Sequence, residues 1–296
     1  MNNSLILVDG SFHLYRSYYA FPLLTNSLGE PTGAIYGMLQ MIKKLLTYYT
    51  PNHMAVIFDE TGDNFRNTLF KPYKSNRKIM PEKLKEQINP LYNIIKAMGF
   101  MVLSVANVEA DDVIGTLALQ GEQKGYSILI STLDKDMAQL VSSNIKIINM
   151  VNNEVLGPQD IEEKYGVPPT LISDHLALTG DCSDNIPGVP GIGKKTANII
   201  LRNLPGIQAI YDNINKISTL GLRGAENIVI KLKEHKEQVF LSYKLATIKT
   251  DVEIDLSKSI QISRDTDIIY LDKLFQRYEF RKWIKELKDG KWYIKN

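Results

Sequence analysis

A chain of 296 residues that is 44% hydrophobic can bury a large core, arranged as one large domain or as a main domain with a smaller appendage. No apolar run approaches the roughly 20 residues that span a bilayer, and the opening MNNSLILVDG lacks the basic flank and long apolar stretch of a signal peptide, so no membrane is expected and a cytoplasmic location is. One cysteine, Cys182, excludes an intrachain disulfide and a cysteine-rich zinc site, and four scattered histidines show no metal-ligand spacing, so a bound metal must be held by oxygen.

Short apolar runs at residues 5–8, 54–58, 101–105, 127–131 and 145–148 alternate with amphipathic stretches at 36–49, 83–98 and 111–124. This alternation predicts an α/β fold with a mostly parallel sheet and flanking helices. From about residue 157 the strand signal fades, and short helical segments broken by Pro and Gly follow. We therefore expect a catalytic α/β core over residues 1–175 and a helical region over 176–296, packed together because no Ser-, Gly- or Pro-rich linker parts them.

Carboxylates recur at the downstream ends of the apolar runs, where open α/β sheets bind ligands. Asp9 follows LILV, Asp59 follows AVIF, and Asp134 and Asp136 follow ILIST. Each taken singly is also an ordinary turn or cap residue. VEADDVIGTLA opens a helix with Glu109, Asp111 and Asp112, more acid than capping needs, and mutual repulsion makes a cation the natural compensation. GDCSDN adds Asp181 and Asp184 in a loop. Nine carboxylates with neither Cys nor His among them indicate Mg²⁺, or Mn²⁺ in its place, and two such ions about 4 Å apart would suit phosphodiester cleavage.

The remaining charge is complementary. Those nine acids leave 24 acidic residues against 35 Lys and Arg, a surplus of 11 despite a net charge of +2, which suits a polyanionic partner. In FRNTLFKPYKSNR, at 65–77, Arg66, Lys71, Lys74 and Arg77 interleave with Phe70 and Tyr73, so cations could hold phosphates while a ring stacks on a base. Pro72 and Pro81 break the segment 65–81, which is expected to be mobile until DNA binds. Arg16 would reach a scissile phosphate if a helix begins after Asp9. GVPGIGKKTA, at 188–197, has the form of a helix-hairpin-helix or helix-two-turn-helix. Gly188, Gly191 and Gly193 would let the backbone approach a duplex phosphate, while Lys194 and Lys195 add charge.

Taken together, LILVDGSFHLYR, VIFDE, FRNTLFKPYKSNR, VEADDVIGTLA, STLDKDMAQL, LTGDCSDNIPGVPGIGKKTA and LATIKTDVEI resemble the 5' nuclease (5'-3' exonuclease) domain of bacterial DNA polymerase I, of the flap endonuclease superfamily, over essentially the whole chain. The resemblance implies a PIN-like core, a helical arch at about 65–81 and a potassium-assisted helix-hairpin-helix. It implies a 5'-3' exonuclease and flap endonuclease acting on double-stranded, nicked or 5'-flap DNA, or an RNA primer–DNA hybrid, as a monomer in replication and repair. It places Asp9, Asp59, Glu109, Asp111 and Asp112 around a first metal and Asp134, Asp136, Asp181 and Asp184 around a second, with Asp111 near both. Tyr73, Lys74 and Arg77 become arch residues, and Arg16 and Arg66 phosphate contacts. These 296 residues stop short of proofreading-like and polymerase domains, so the chain is expected to be either a free-standing nuclease or an excised domain, and an ending on Asn296 without tag or linker favours the former. Two other classes share some of these features: a DNA-junction binder whose acids hold structural cations, and a toxin-type α/β ribonuclease, usually about half this size.

Overall fold

The computed structural model describes residues 4–260, 266–290 and 292. Six strands form one sheet in the order β3-β2-β1-β4-β5-β6: β1 (Ser4–Asp9), β2 (His53–Ile57), β3 (Met101–Leu103), β4 (Ser127–Ser131), β5 (Ile145–Asn149) and β6 (Glu154–Leu156). All neighbours are parallel except β5 and β6, whose short turn allows an antiparallel return. The five runs read from the sequence are the five parallel strands. β6, three residues long, offers too little periodicity to be read.

Fourteen α-helices complete the described chain: α1 (Gly10–Ala20), α2 (Gly33–Tyr49), α3 (Phe65–Leu69), α4 (Glu82–Ala97), α5 (Ala110–Gln123), α6 (Pro158–Tyr165), α7 (Ile172–Thr179), α8 (Lys194–Asn203), α9 (Ile207–Asp212), α10 (Ala225–Glu234), α11 (Lys236–Ala246), α12 (Leu256–Ser259), α13 (Ile268–Arg277) and α14 (Arg281–Lys288). Side chains alternate across the sheet, so β1 feeds two cores. Ile6 and Val8 join the layer of α1, α2, α4, α13 and α14, and Leu5 and Leu7 join the layer of α5 and the hairpin helices. The end of the chain thus returns to the first layer: Phe275, Phe280, Trp283 and Trp292 pack on one another, and Trp283 stacks on Tyr36 of α2 at 4.8 Å. None of the described helices is long and apolar enough to cross a membrane.

The topology fixes where chemistry can sit. β1 pairs with β2 on one side and β4 on the other, and the chain reverses its direction of winding there, which opens a crevice at the carboxyl ends. Register aligns Asp9 with Ile57 and Val8 with Ser131, so the residues leaving all three strands emerge at one edge. α1 starts without a connecting loop: Asp9 caps it by accepting from the Phe12 amide at 2.9 Å. Gly10 is obligatory at that junction, since a Cβ would lie 2.7 Å from the Ile57 carbonyl.

Candidate active site

The strand-end acids converge as their spacing implied. The Asp9 carboxylate accepts from Phe12 N and, at 2.8 Å, from Thr132 Oγ1, which ties β1 to the end of β4. Asp59 accepts from the Ala110 amide at 2.9 Å, and its own amide donates to Ser11 Oγ at 2.8 Å, so β2, α1 and α5 are sewn together around it. Asp134 takes the Asp136 amide at 3.0 Å. Burial pushes the Asp9 carboxyl up to about 7, with Asp59 and Asp134 adding to the rise. Asp111 is raised well above the carboxylate range by burial and then by Asp134 and Asp9. Asp134 therefore stands with Asp9 and Asp111 rather than only with the second group.

That second group is compact. Asp136, Asp181 and Asp184 are buried, and one carboxylate oxygen from each lies within 4.8 Å of the others. Asp136 Oδ1 and Asp181 Oδ2 are buried without a hydrogen-bond partner. Burial pushes Asp136 up to about 8, reinforced by Asp134, Asp184 and Asp181. Buried oxygens that lack donors and repel one another fit a hard cation, which supplies the missing charge and coordination. Lys135 holds the opposite oxygen of Asp181 at 2.7 Å.

The basic segment departs from its expected form. Arg66 is only 2% exposed, and all five of its N–H donors are used inside the protein. Two grip Asp112 at 2.7 and 2.8 Å, one reaches Glu109 at 3.2 Å, and two reach the carbonyls of Leu245 and Thr247 at 2.9 Å. Arg66 is thus a buried clamp and not a phosphate contact. Asp112, fully buried, also accepts from the amides of Glu109 and Lys249, so both its oxygens already have protein donors. Tyr73 is 3% exposed and donates toward Glu109 and Asp184 at 3.0 and 3.2 Å, which leaves no face for a base.

The expected arch is likewise a docked lid. α3 is followed by turns, and no helix covers residues 70–81. Lys74 takes a left-handed backbone (φ 53°) and donates its amide to the Asp184 carbonyl at 2.9 Å, Asn185 holds the Pro72 carbonyl, and Asn76 holds the Cys182 carbonyl. Polar composition and two prolines suggest mobility, but the partners of Pro72 and Asn76 lie more than 100 residues away, where local sequence cannot show them. Lys74 Nζ pairs with Glu109 and lies 3.5 Å from Asp184, and Arg77 donates to Asp184 at 2.6 Å. Burial opposes both charges, yet Glu109 and Asp184 outweigh it and raise both pKa values. Against its own burial Asp184 is held below the usual carboxylate range by Lys74 and Arg77. Beside the lid opens a cleft of about 420 Å³, lined by Asp59, Lys71, Lys74, Arg77 and Glu109 among others. Arg16 sits exposed on α1.

α7, the loop after it and α8 form the hairpin. Gly180 (φ 75°) and Gly188 meet backbone to backbone, and a Cβ on Gly188 would stand 2.4 Å from the Gly180 nitrogen. The close approach Gly188 permits is therefore internal, not to DNA. Gly191 (φ 85°) turns the chain, Gly193 caps α8 with open space around it, and Lys194 and Lys195 are exposed at that helix start. Thr132, Ser11 and Asn64, which donates to Glu109 at 3.1 Å, are site residues that no spacing rule singles out.

A crevice at a parallel-sheet switch point, filled with buried carboxylates and flanked by lysine, arginine and a hairpin, defines an acid-cluster nuclease of the α/β class. The family models agree: residues 4–166 match the 5'-3' exonuclease N-terminal resolvase-like domain and residues 167–266 the 5'-3' exonuclease C-terminal SAM fold. A 5'-3' exonuclease of Buchnera aphidicola subsp. Schizaphis graminum is 47% identical over 279 residues, 94% of this chain and 97% of that protein. The DNA polymerase I of Pseudomonas aeruginosa is 46% identical over 284 residues, 96% of this chain but 31% of that protein. Among solved structures, T5 5'-exonuclease with divalent metal ions (zinc) bound superposes with a TM-score of 0.70 at 20% identity, covering 92% of this chain and 98% of that one. The catalytic core of Rad2 with a DNA substrate superposes at 0.64 and 16% identity, covering 100% and 93%. The chain belongs to the 5'-3' exonuclease family.

The clamp yields a first test. Arg66→Met would leave the buried Asp112 without its counter-charge, a destabilisation of about 3–5 kcal/mol. Urea unfolding should register it, and Arg66→Met with Asp112→Leu should recover much of the stability. Unchanged stability with weakened DNA binding would return Arg66 to the phosphate.

Proposed function

We propose that this chain is a 5'-3' exonuclease and flap endonuclease that hydrolyses phosphodiester bonds of double-stranded, nicked or 5'-flap DNA, and of RNA primer–DNA hybrids, during primer removal and repair. It would act as a cytoplasmic monomer with two Mg²⁺ ions, Mn²⁺ substituting. The observation that carries this reading is the Asp136–Asp181–Asp184 cluster with its two unpartnered oxygens, set beside the mutually repelling Asp9, Asp111 and Asp134. Asp9, Asp59, Asp111 and Asp134 would hold one cation and Asp136, Asp181 and Asp184 the other, with Glu109 between lid and cluster. Bound there, divalent cations supply Lewis acidity to the attacking water and to the leaving oxygen.

The protein's own groups do the rest. Lys74 and Arg77 stand at the cleft with their charges secured by raised pKa values, and they offer N–H donors to a phosphate that enters between lid and cluster. Exposed Arg16 can hold the neighbouring phosphate. Duplex would lie on the start of α8, where amides, Gly191, Gly193, Lys194 and Lys195 take backbone phosphates without reading sequence, with potassium assisting at the hairpin turn.

A fluorescent 5'-flap substrate with Mg²⁺ tests the activity, and binding without cleavage at stoichiometric enzyme would refute it. Asp111→Asn or Asp134→Asn should lower the rate by orders of magnitude, at about 1.4 kcal/mol per decade, with DNA affinity largely kept. Lys74→Ala should cut the single-turnover rate by about two decades and change Kd only severalfold. Lys194→Ala with Lys195→Ala should instead weaken binding and flatten the salt dependence of log K by roughly 0.9 for each phosphate left without its lysine, with cleavage restored at saturating enzyme.

A further inference from the structure

LATIKT, at residues 245–250, has no part in the chemistry above, yet its backbone is gripped from two sides. Arg66 holds the Leu245 and Thr247 carbonyls and Asp112 the Lys249 amide. From the other side comes Gln139, at the end of the short 3-10 helix Asp136–Leu140. Its Nε2 donates to the carbonyls of Ala246 at 3.0 Å and Asp136 at 2.9 Å. Its Oε1 accepts from the Ile248 amide and Ser173 Oγ, each at 2.9 Å. A primary amide has two N–H donors and an oxygen with two lone pairs, so every capacity of Gln139 is used.

Its partners lead to the carboxylates. Asp136 belongs to the cluster, and Ser173 lies in the first turn of α7, the helix that runs directly into the loop of Asp181 and Asp184. Like charges push that cluster apart; Lys135 holds Asp181 and Arg77 holds Asp184 by side-chain contacts, whereas Asp136 Oδ1 has no donor, so what restrains Asp136 is its backbone. We propose that Gln139 is a positioning residue: by joining the Asp136 backbone, α7 and residues 246–248, it fixes the separation of Asp136 from Asp181 and Asp184 and so sets that cluster's affinity for a divalent cation. This rests on the reading of the cluster as a cation site. No other side chain of similar size does the same: Leu and Met bond nothing, and Glu cannot donate to the two carbonyls.

The probe is Mn²⁺, its free concentration read from the room-temperature EPR signal in titrations of the full chain. Wild type, Asp136→Asn, Gln139→Leu and Ser173→Ala are compared, each with its melting temperature. Asp136→Asn should lose the cluster's site. Gln139→Leu should weaken Mn²⁺ binding by about tenfold or more, the usual effect of removing a partner that orients a ligand, and high Mn²⁺ should restore kcat. Ser173→Ala, which deletes one of the four bonds, should weaken binding severalfold and decides the matter if Gln139→Leu does not fold. Lowered melting temperatures with wild-type affinity in both variants would reduce Gln139 to a packing residue. Equal Mn²⁺ binding by wild type and Asp136→Asn would show instead that the cluster holds no cation, and the proposal would fall with that reading.

Discussion

Everything at this site follows from the repulsion among carboxylates gathered in a low-dielectric crevice. The protein relieves it in three ways. Backbone amides of Phe12, Ala110, Glu109 and Lys249 donate to Asp9, Asp59 and Asp112. Internal cations take up others: Arg66 takes Asp112, Lys74 takes Glu109, and Arg77 takes Asp184. What remains, at Asp9, Asp111 and Asp136, is expressed as carboxyls pushed far above their usual range. Those residual acids mark where external charge is needed.

The same division explains how much could be read from the sequence. Periodicity reveals parallel strands because both faces are buried, and the acids after three of the five runs, Asp9, Asp59 and Asp134, locate the crevice. Asp111 and Asp112 show the limit. Neighbours on a helix point about 100° apart, so one faces the acid cluster and the other the buried Arg66, and nothing in ADD says which. Arg66 and Tyr73 look like ligands of DNA because basic and aromatic residues alternate around them. Their partners lie far off in sequence, Glu109 and Asp112 at 36 to 46 residues and Leu245, Thr247 and Asp184 at more than 100. Charge composition reports that cations are present, but whether they face outward is decided by tertiary contacts.

The lid carries this further. A segment with Pro72, Pro81 and seven polar or charged residues between Asn64 and Arg77 has little apolar surface to hold it down. It is held instead by Tyr73, Lys74 and Asn76 reaching the Asp181–Asn185 loop and by Asn185 reaching back. Tyr73 and Lys74 each reach both Asp184 and Glu109, so the lid is docked on carboxylates of the acidic crevice itself.

The acidic loop and the hairpin, finally, are parts of one turn. Asp181 and Ile186 exchange two backbone hydrogen bonds at 2.8 Å, closing a loop that carries Asp181 and Asp184. Immediately beyond it Gly180 and Gly188 touch through bare backbone, and Val189 donates to the Leu178 carbonyl at 2.8 Å, which locks the turn to the end of α7. A side chain at either glycine would force the two sides of the loop apart, since a Cβ would stand 2.4 Å from the facing backbone at Gly188 and 2.6 Å at Gly180, well inside van der Waals contact. The spacing between the carboxylates and the open start of α8 is therefore set by backbone packing, which has no rotamers to vary. Gly193, Lys194 and Lys195 at that helix start are thereby tied through bare backbone to the loop that carries Asp181 and Asp184.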